Sequence, residues 1–382
     1  MNLRAVIAVT IALVAAVGCG DENKVTTPGP SGMPDKIAVP AGLKLDAGDD
    51  LALGFGDQLV LIDRTIDAQL SVWRLSDTTW QALPGVSDDA HRATGATVVT
   101  ESASTSVLAV WCGAQDLDED GCKPDTSEVQ VASYTSGSWS RGTALTAKDS
   151  KVVASGGTAR IIGDRDGAPL VLLSTTTPGV PPELWYAPTK DQGWKSLTTL
   201  STATDYCTVQ GGDLVIGLTH RGETIGGAGV PTELPYNLFA GTIETSGNLK
   251  VTAEDTFSNA PQGSAVTQLA CTSTEVFIVS PDRIERVDAS AKRTELIKLP
   301  GAGSDGLAQR SYNIGSVSTA LVLRETSDNT SIFLVDSSGA TTLAVTLASG
   351  ERVNSAQATS GGVYALIGPT GGVGSNEIRL AK

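Results

Sequence analysis

One unit recurs along this chain: an apolar strand, a tight polar turn, then an aromatic or aliphatic residue opening another strand. It reads LSVWRLSDTTWQAL from Leu70, VQVASYTSGSWSRG from Val129 and ELWYAPTKDQGWKSL from Glu183. Weaker copies are YNLFAGTIETSGNLKV from Tyr236, RIERVDASAKRTELIKL from Arg283 and SIFLVDSSGATTLAVTL from Ser331. The anchors Trp80, Trp139, Trp194 and Leu249 lie 59, 55 and 55 residues apart. A further strand-rich stretch precedes most of these hairpins: VLAVWCG, ARIIGD, DLVIGLT, EVFIVS, TALVLRE. Helical periodicity is absent. Each unit therefore offers about four short strands, and repetition at this length is the signature of propeller blades. A single blade leaves both faces wet. Stacking blades in a ring buries those faces and leaves only short strand edges.

The ends of the chain support closure. SNEIRLAK at the C-terminus aligns with the third strand of a unit and has no fourth after it. KIAVPAG, from Lys36, is a strand without a blade of its own. Together they complete a composite seventh blade, and dividing residues 36–382 by seven gives about fifty residues per blade, the spacing required. The expected fold is all-β, a propeller of seven four-stranded blades closed by an N-terminal strand. Six or eight blades, or a pair of β-sandwiches, are the alternatives.

The pattern resembles the broad class of secreted kelch-like and sialidase-like propellers over most of the chain. The sialidase class marks its blade turns with an Asp box, where Ser, Asp, Gly and Thr lead to a Trp. Thr189, Asp191, Gly193 and Trp194 match that box poorly, because the spacing is short and other copies lose Asp or Gly. The resemblance implies architecture, and no catalytic residue is carried over from it.

The N-terminus reads MNLRAVIAVTIALVAAVGCG. Arg4 heads an apolar run from Ala5 to Val17, too short to span a bilayer, which takes about 20 residues. This is the pattern of a secretory signal. Its end, Ala16-Val17-Gly18-Cys19, resembles the bacterial lipobox, with Ala16 where that class more often has leucine. The resemblance implies cleavage before Cys19 and acylation of the new N-terminal cysteine, as by palmitate. The expected organisation is a signal peptide over 1–18, a lipidated Gly/Pro-containing tether over 19–35, and a propeller over 36–382. Such a protein is held in the cell envelope by its lipid without spanning the membrane. The net charge of −15 argues against a nucleic-acid partner, which needs a basic patch.

Export to an oxidising compartment makes disulfides the expected state of the remaining cysteines. Cys112 and Cys122 are close in sequence and would close a hairpin loop. Cys207 and Cys271 each sit just before a turn into the second strand of a unit, so they could staple two neighbouring blades near the axis; two free buried thiols are the alternative. Between the first pair lies WCGAQDLDEDGCKPDTSE, residues 111 to 128. Asp116, Asp118 and Asp120, followed by Gly121, match the start of a D-x-D-x-D-G calcium loop, where alternate carboxylates converge on a hard cation. The twelfth position is Ser127, with Glu128 one residue later and Asp125 able to substitute. Calcium is the one candidate cofactor, in a structural role. The alternative is a solvated acidic hairpin tip.

His91 and His220 lie in different units, each followed by Arg, and are expected in loops. No G-x-S-x-G, P-loop or H-E-x-x-H pattern occurs. The stretch GETIGGAGVPTELP, residues 222 to 235, reads as an enlarged loop of the fourth unit. Three functions follow: a tethered propeller presenting loops to a protein or glycan partner, a sialidase-like hydrolase or lyase, and a structural envelope component.

Overall fold

The computed structural model describes residues 35–382 apart from short connecting segments, the longest of them 221–233. The expected signal peptide, Cys19, all but the last residue of the tether, Asp120 and most of the 222–235 loop lie outside the described residues. Seven four-stranded antiparallel blades form the molecule. Blade 1 runs from Asp50–Leu53 through Val60–Arg64 and Leu70–Ser76 to Thr79–Ala82. Blade 2 uses His91–Glu101, Ser104–Gly113, Glu128–Thr135 and Ser138–Arg141. Blades 3 to 6 begin at Thr158, Asp205, Gln268 and Ala308. Blade 7 is composite: Glu351–Thr359, Gly362–Pro369 and Glu377–Ala381 from the C-terminus, then Lys36–Ala38 as its outermost strand. The first strands of blades 2 to 6 touch in succession around the axis, and that of blade 7 meets that of blade 1; the first strand of blade 2 also meets Val60–Arg64 of blade 1, and the first strand of blade 7 meets the second strand of blade 6. The seven-blade expectation and its closing pair are what the fold shows.

Burial follows from position within a blade. A second strand is flanked by sheet on both edges and by blades on both faces, so it is a continuous apolar run. Val276–Val279 and Leu170–Leu173 are buried throughout. Outer strands alternate with water instead, as in Thr79–Ala82, where three of four residues are exposed. Gly217 is required in the second strand of blade 4. It pairs with Tyr206 on one side and Phe239 on the other, and a Cβ there would meet the Phe239 ring at 1.9 Å. The empty place lets Tyr206 and Phe239 approach edge to face, 5.9 Å between centroids.

The recurring tryptophans explain the period. Trp80 Nε1 donates to the Ala38 carbonyl at 2.8 Å, Trp139 Nε1 to that of Pro84 at 2.6 Å, and Trp194 Nε1 to that of Thr143 at 2.7 Å. Each indole thus clasps the outer part of the preceding blade. Arg141 adds a second clasp to the Val86 carbonyl and lies over the Trp111 ring, 5.3 Å from its centroid. Between blades 4 and 5 an arginine serves instead: Arg293 bonds Asp255 across the gap, bonds Glu285 of its own blade, and stacks 4.2 Å above Phe257.

The sequence reading differs from the structure in several places. In blade 3 the strand-rich stretch ahead of the hairpin is two strands, Thr158–Arg165, which holds ARIIGD, and Ala168–Ser174. A four-residue helix, Lys151–Ala154, stands between blades 2 and 3, capped by Ser150 Oγ accepting from Val153 N at 3.1 Å. Phe55–Gly56 leaves blade 1 and pairs in parallel with Val99 and Thr100 of blade 2. His91 and His220 are not loop residues; they open and close strands.

Candidate functional site

Antiparallel alternation sends the connection from second to third strand to the same ring face as the crossover to the next blade. That face carries the acidic segment 114–127 in blade 2, the ends of the strands flanking 221–233 in blade 4, the helix Lys151–Ala154, and both histidines at strand ends. His91 pairs with Gly113, where the acidic segment departs, and His220 pairs with Tyr236.

The acidic segment is a tied structure. Cys112, on the second strand, bonds Cys122 with 5.8 Å between Cα atoms. Ala114–Asp116 makes one 3₁₀ turn, and Leu117–Asp118 then pairs with Gly121–Cys122 as a small hairpin. Lys123 returns over the turn: its N–H donates to the Asp116 carbonyl at 2.8 Å and its ammonium to that of Gln115 at 2.7 Å. Asp125 takes a left-handed conformation, φ 64°, and donates its N–H to the Ala154 carbonyl of the helix at 3.2 Å. The helix is itself held by the Glu183 carboxylate, which accepts from Lys151 N and from Trp185 Nε1. Beside it, Asp149 accepts from the Thr146 hydroxyl at 2.8 Å, and this bond holds its carboxyl below the usual value.

The candidate calcium residues are distributed over this structure. Asp116 ends the 3₁₀ turn, Asp118 lies in the hairpin opposite Gly121, Asp125 is an exposed turn residue, and Glu128 opens the third strand opposite Trp111. Among the described residues no three His, Cys, Asp or Glu gather as a metal would need. Leu117–Asp118 pairs with Gly121–Cys122, where the D-x-D-x-D-G spacing anticipates an open twelve-residue loop.

At the axis, the second disulfide joins Cys207 and Cys271 of the first strands of blades 4 and 5, with 5.9 Å between Cα atoms. Both expected pairings are therefore present. Sequence reading missed Asp205, the first residue of the same strand. Its Oδ1 accepts from Tyr206 N at 2.9 Å and pairs with Arg160 of blade 3, and its Oδ2 accepts from Leu269 N of blade 5 at 2.7 Å. One carboxylate thus joins three consecutive blades. With its oxygens taken by these donors, it is a brace and is poorly placed to act as a general base. Gln357, also missed, does similar work between blades 7, 1 and 2. Its side chain accepts from Val60 N at 3.1 Å and donates to the Gln58 carbonyl at 2.7 Å, which Thr100 Oγ1 also bonds. The signals were a carboxylate opening the otherwise uncharged strand Asp205–Val209 and a long polar side chain between Ala356 and Ala358.

No protein-family model matches the chain, and no curated protein does. Solved structures are similar to it in fold. The crystal structure of the Mitotic Checkpoint Complex includes a chain 12% identical, with 96% of this chain and 100% of that one covered and a TM-score of 0.51. The β-propeller domain of Cps50 (Swd1) from Myceliophteria thermophila is 12% identical, covering 87% and 100%, at 0.49. The β-propeller domain of the Trilobed protease from Pyrococcus furiosus is 8% identical, covering 91% and 94%, at 0.48.

Proposed function

We propose that this chain is an exported, lipid-anchored propeller that serves as a binding scaffold, presenting one ring face to a macromolecular partner, protein or glycan, at a membrane surface. The observation that carries the reading is the acidic connection of blade 2. It is tied by a disulfide, by its own hairpin and by the helix beneath it, all on the face where blade 4 has its longest connection. A loop ordered before binding loses little entropy when a partner docks, and propellers offer such loops on a rigid ring. Fold alone implies no catalysis. Asp205 and Arg160, the acid and base paired at the axis, brace one another and the neighbouring blades. This supports a kelch-like use of the ring over a sialidase-like one. The lipid anchor rests on the apolar run ending at Cys19.

A photo-crosslinking residue placed at Asp125, on the proposed face, should capture a partner in native membranes. The same residue at Asp336, on a hairpin of the opposite face, should not. Capture from neither position would favour a structural envelope role. Turnover of a glycan substrate by the purified propeller would replace the reading with the hydrolase or lyase one. Intact mass of the membrane-extracted protein should give a chain beginning at an acylated Cys19.

A further inference from the structure

Blade 7 is closed at two levels of very different strength. The inner level is buried and long-range. Ser355 Oγ accepts from Leu53 N at 2.8 Å, and Gln357 holds Val60 N and the Gln58 carbonyl. The outer level is the strand Lys36–Ala38, which makes three register pairs with Glu377–Arg379. Of those three residues only Ile37 is buried. The flanking ion pairs are wet: Lys36–Glu377 has side chains 65% and 32% exposed, and Lys382–Asp35 63% and 67%. Charges so exposed hold weakly and are screened by salt. Val39 packs on the same apolar cluster as Ile37, and Pro40 beyond it is buried. Pro40 has no N–H to leave unpaired, so it suits the point where a departing strand would hinge.

We propose that Asp35–Val39 is a strap that undocks and redocks while the ring stays closed, uncovering on blade 7 a slot for a short extended peptide of acidic–basic–aliphatic–small sequence. The slot is defined by what fills it now. The free edge of Glu377–Ala381 offers backbone pairing, the cluster of Leu53, Leu366 and Ile378 receives an aliphatic side chain, Glu377 meets a cation, and Lys382 meets an anion. This is strand addition to a sheet edge, in which main-chain bonds give affinity and alternate side chains give specificity. The inner closure runs through Leu53 N, Val60 N and the Gln58 carbonyl and uses no residue of the strap itself, so undocking gives up the strap's own contacts, the Trp80 Nε1 bond to the Ala38 carbonyl among them, and leaves the ring closed.

Amide exchange on the intact chain tests the device. Leu380 N, bonded to the Asp35 carbonyl at 2.9 Å, reports the strap; Val60 N reports the inner closure. Leu380 should exchange more than about 100-fold faster than Val60, as a local opening does. Its rate should rise about threefold between low and high salt, as exposed ion pairs are screened. An Ala38→Cys/Glu377→Cys variant, oxidised across this register pair, should bring Leu380 close to the Val60 rate, whereas the matching serine pair should not. A labelled synthetic peptide with the sequence of residues 35–40, DKIAVP, should bind the serine pair, which lacks Glu377 just as the locked chain does, and not the locked chain. Equal protection of Leu380 and Val60 would overturn the undocking. A fast Leu380 with no peptide binding, or equal binding to locked and unlocked chains, would overturn the slot.

Discussion

Gln357→Leu is the substitution that most directly tests how the ring is held shut. Gln357 is 1% exposed, and leucine nearly preserves its volume, so packing changes little. The change removes the acceptor of Val60 N and one donor to the Gln58 carbonyl. Thr100 Oγ1 still bonds that carbonyl at 3.0 Å, so most of the cost falls on Val60. A buried N–H left without a partner costs about 1–3 kcal/mol, and the lost bond to Gln58 adds about 1 kcal/mol. The expected total is about 2–4 kcal/mol. With an unfolding entropy of about 2.1 cal/mol/K per residue over residues 36–382, this lowers the melting temperature by roughly 3–6 °C. Scanning calorimetry reads the shift, and amide exchange should show Val60 losing protection ahead of the inner strands of blades 4 and 5. A melting temperature within about 1 °C of the parent would refute the claim that this side chain seals the 7–1 seam.

The remaining expectations concern the clasp, the staple and the acidic hairpin. Arg379 bonds both oxygens of Glu351 at 2.7 Å and holds its carboxyl down from an ordinary 4.5 to about 2. Since the folded value is the lower one, this clasp stabilises fully above pH 4.5 and is lost as pH falls toward 2; stability measured over that window should slope less in Glu351→Gln. Removing the Cys207–Cys271 bridge by a double alanine change should destabilise by about 4 kcal/mol in the chain-entropy model, read as an earlier denaturant midpoint. Calcium should leave the melting temperature unchanged, because Asp116 ends the 3₁₀ turn, Asp118 stands in the paired hairpin, and Asp125 and Glu128 lie on the return limb. A rise of about 2 °C that Asp118→Ala abolishes would make the segment a calcium site after all.

Much of the architecture could be read from the sequence, and the reason is local. A blade hairpin is a short-range object, and Trp80, Trp139 and Trp194 mark its fourth strand because each must reach the blade before it. The unmatched strand at Lys36 announced closure for the same reason. Cys112 and Cys122 are near neighbours in the chain, while Cys207 and Cys271 occupy like places in successive units. What stayed hidden depends on contacts across long separations. Asp205 meets Leu269, and Gln357 meets Val60, only once the ring exists. Whether the D-x-D-x-D-G spacing holds calcium turns on Asp120, which lies outside the described residues, beside the paired Leu117–Asp118 and Gly121–Cys122. The ties that hold the acidic segment could not be read either, since Asp125 N meets the Ala154 carbonyl only once blades 2 and 3 are side by side.

The bridge between Cys207 and Cys271 also changes the covalent connectivity of the molecule. It joins blades 4 and 5, on the far side of the ring from the seam where the N- and C-terminal strands meet. Residues 208–270 therefore form a closed covalent circuit, and the segment 221–233 lies inside it. A protease that cuts there makes two chain ends but only one molecule, since the halves remain linked through sulfur until a reductant is added. On a gel, such a nick would be invisible without reducing agent and plain with it.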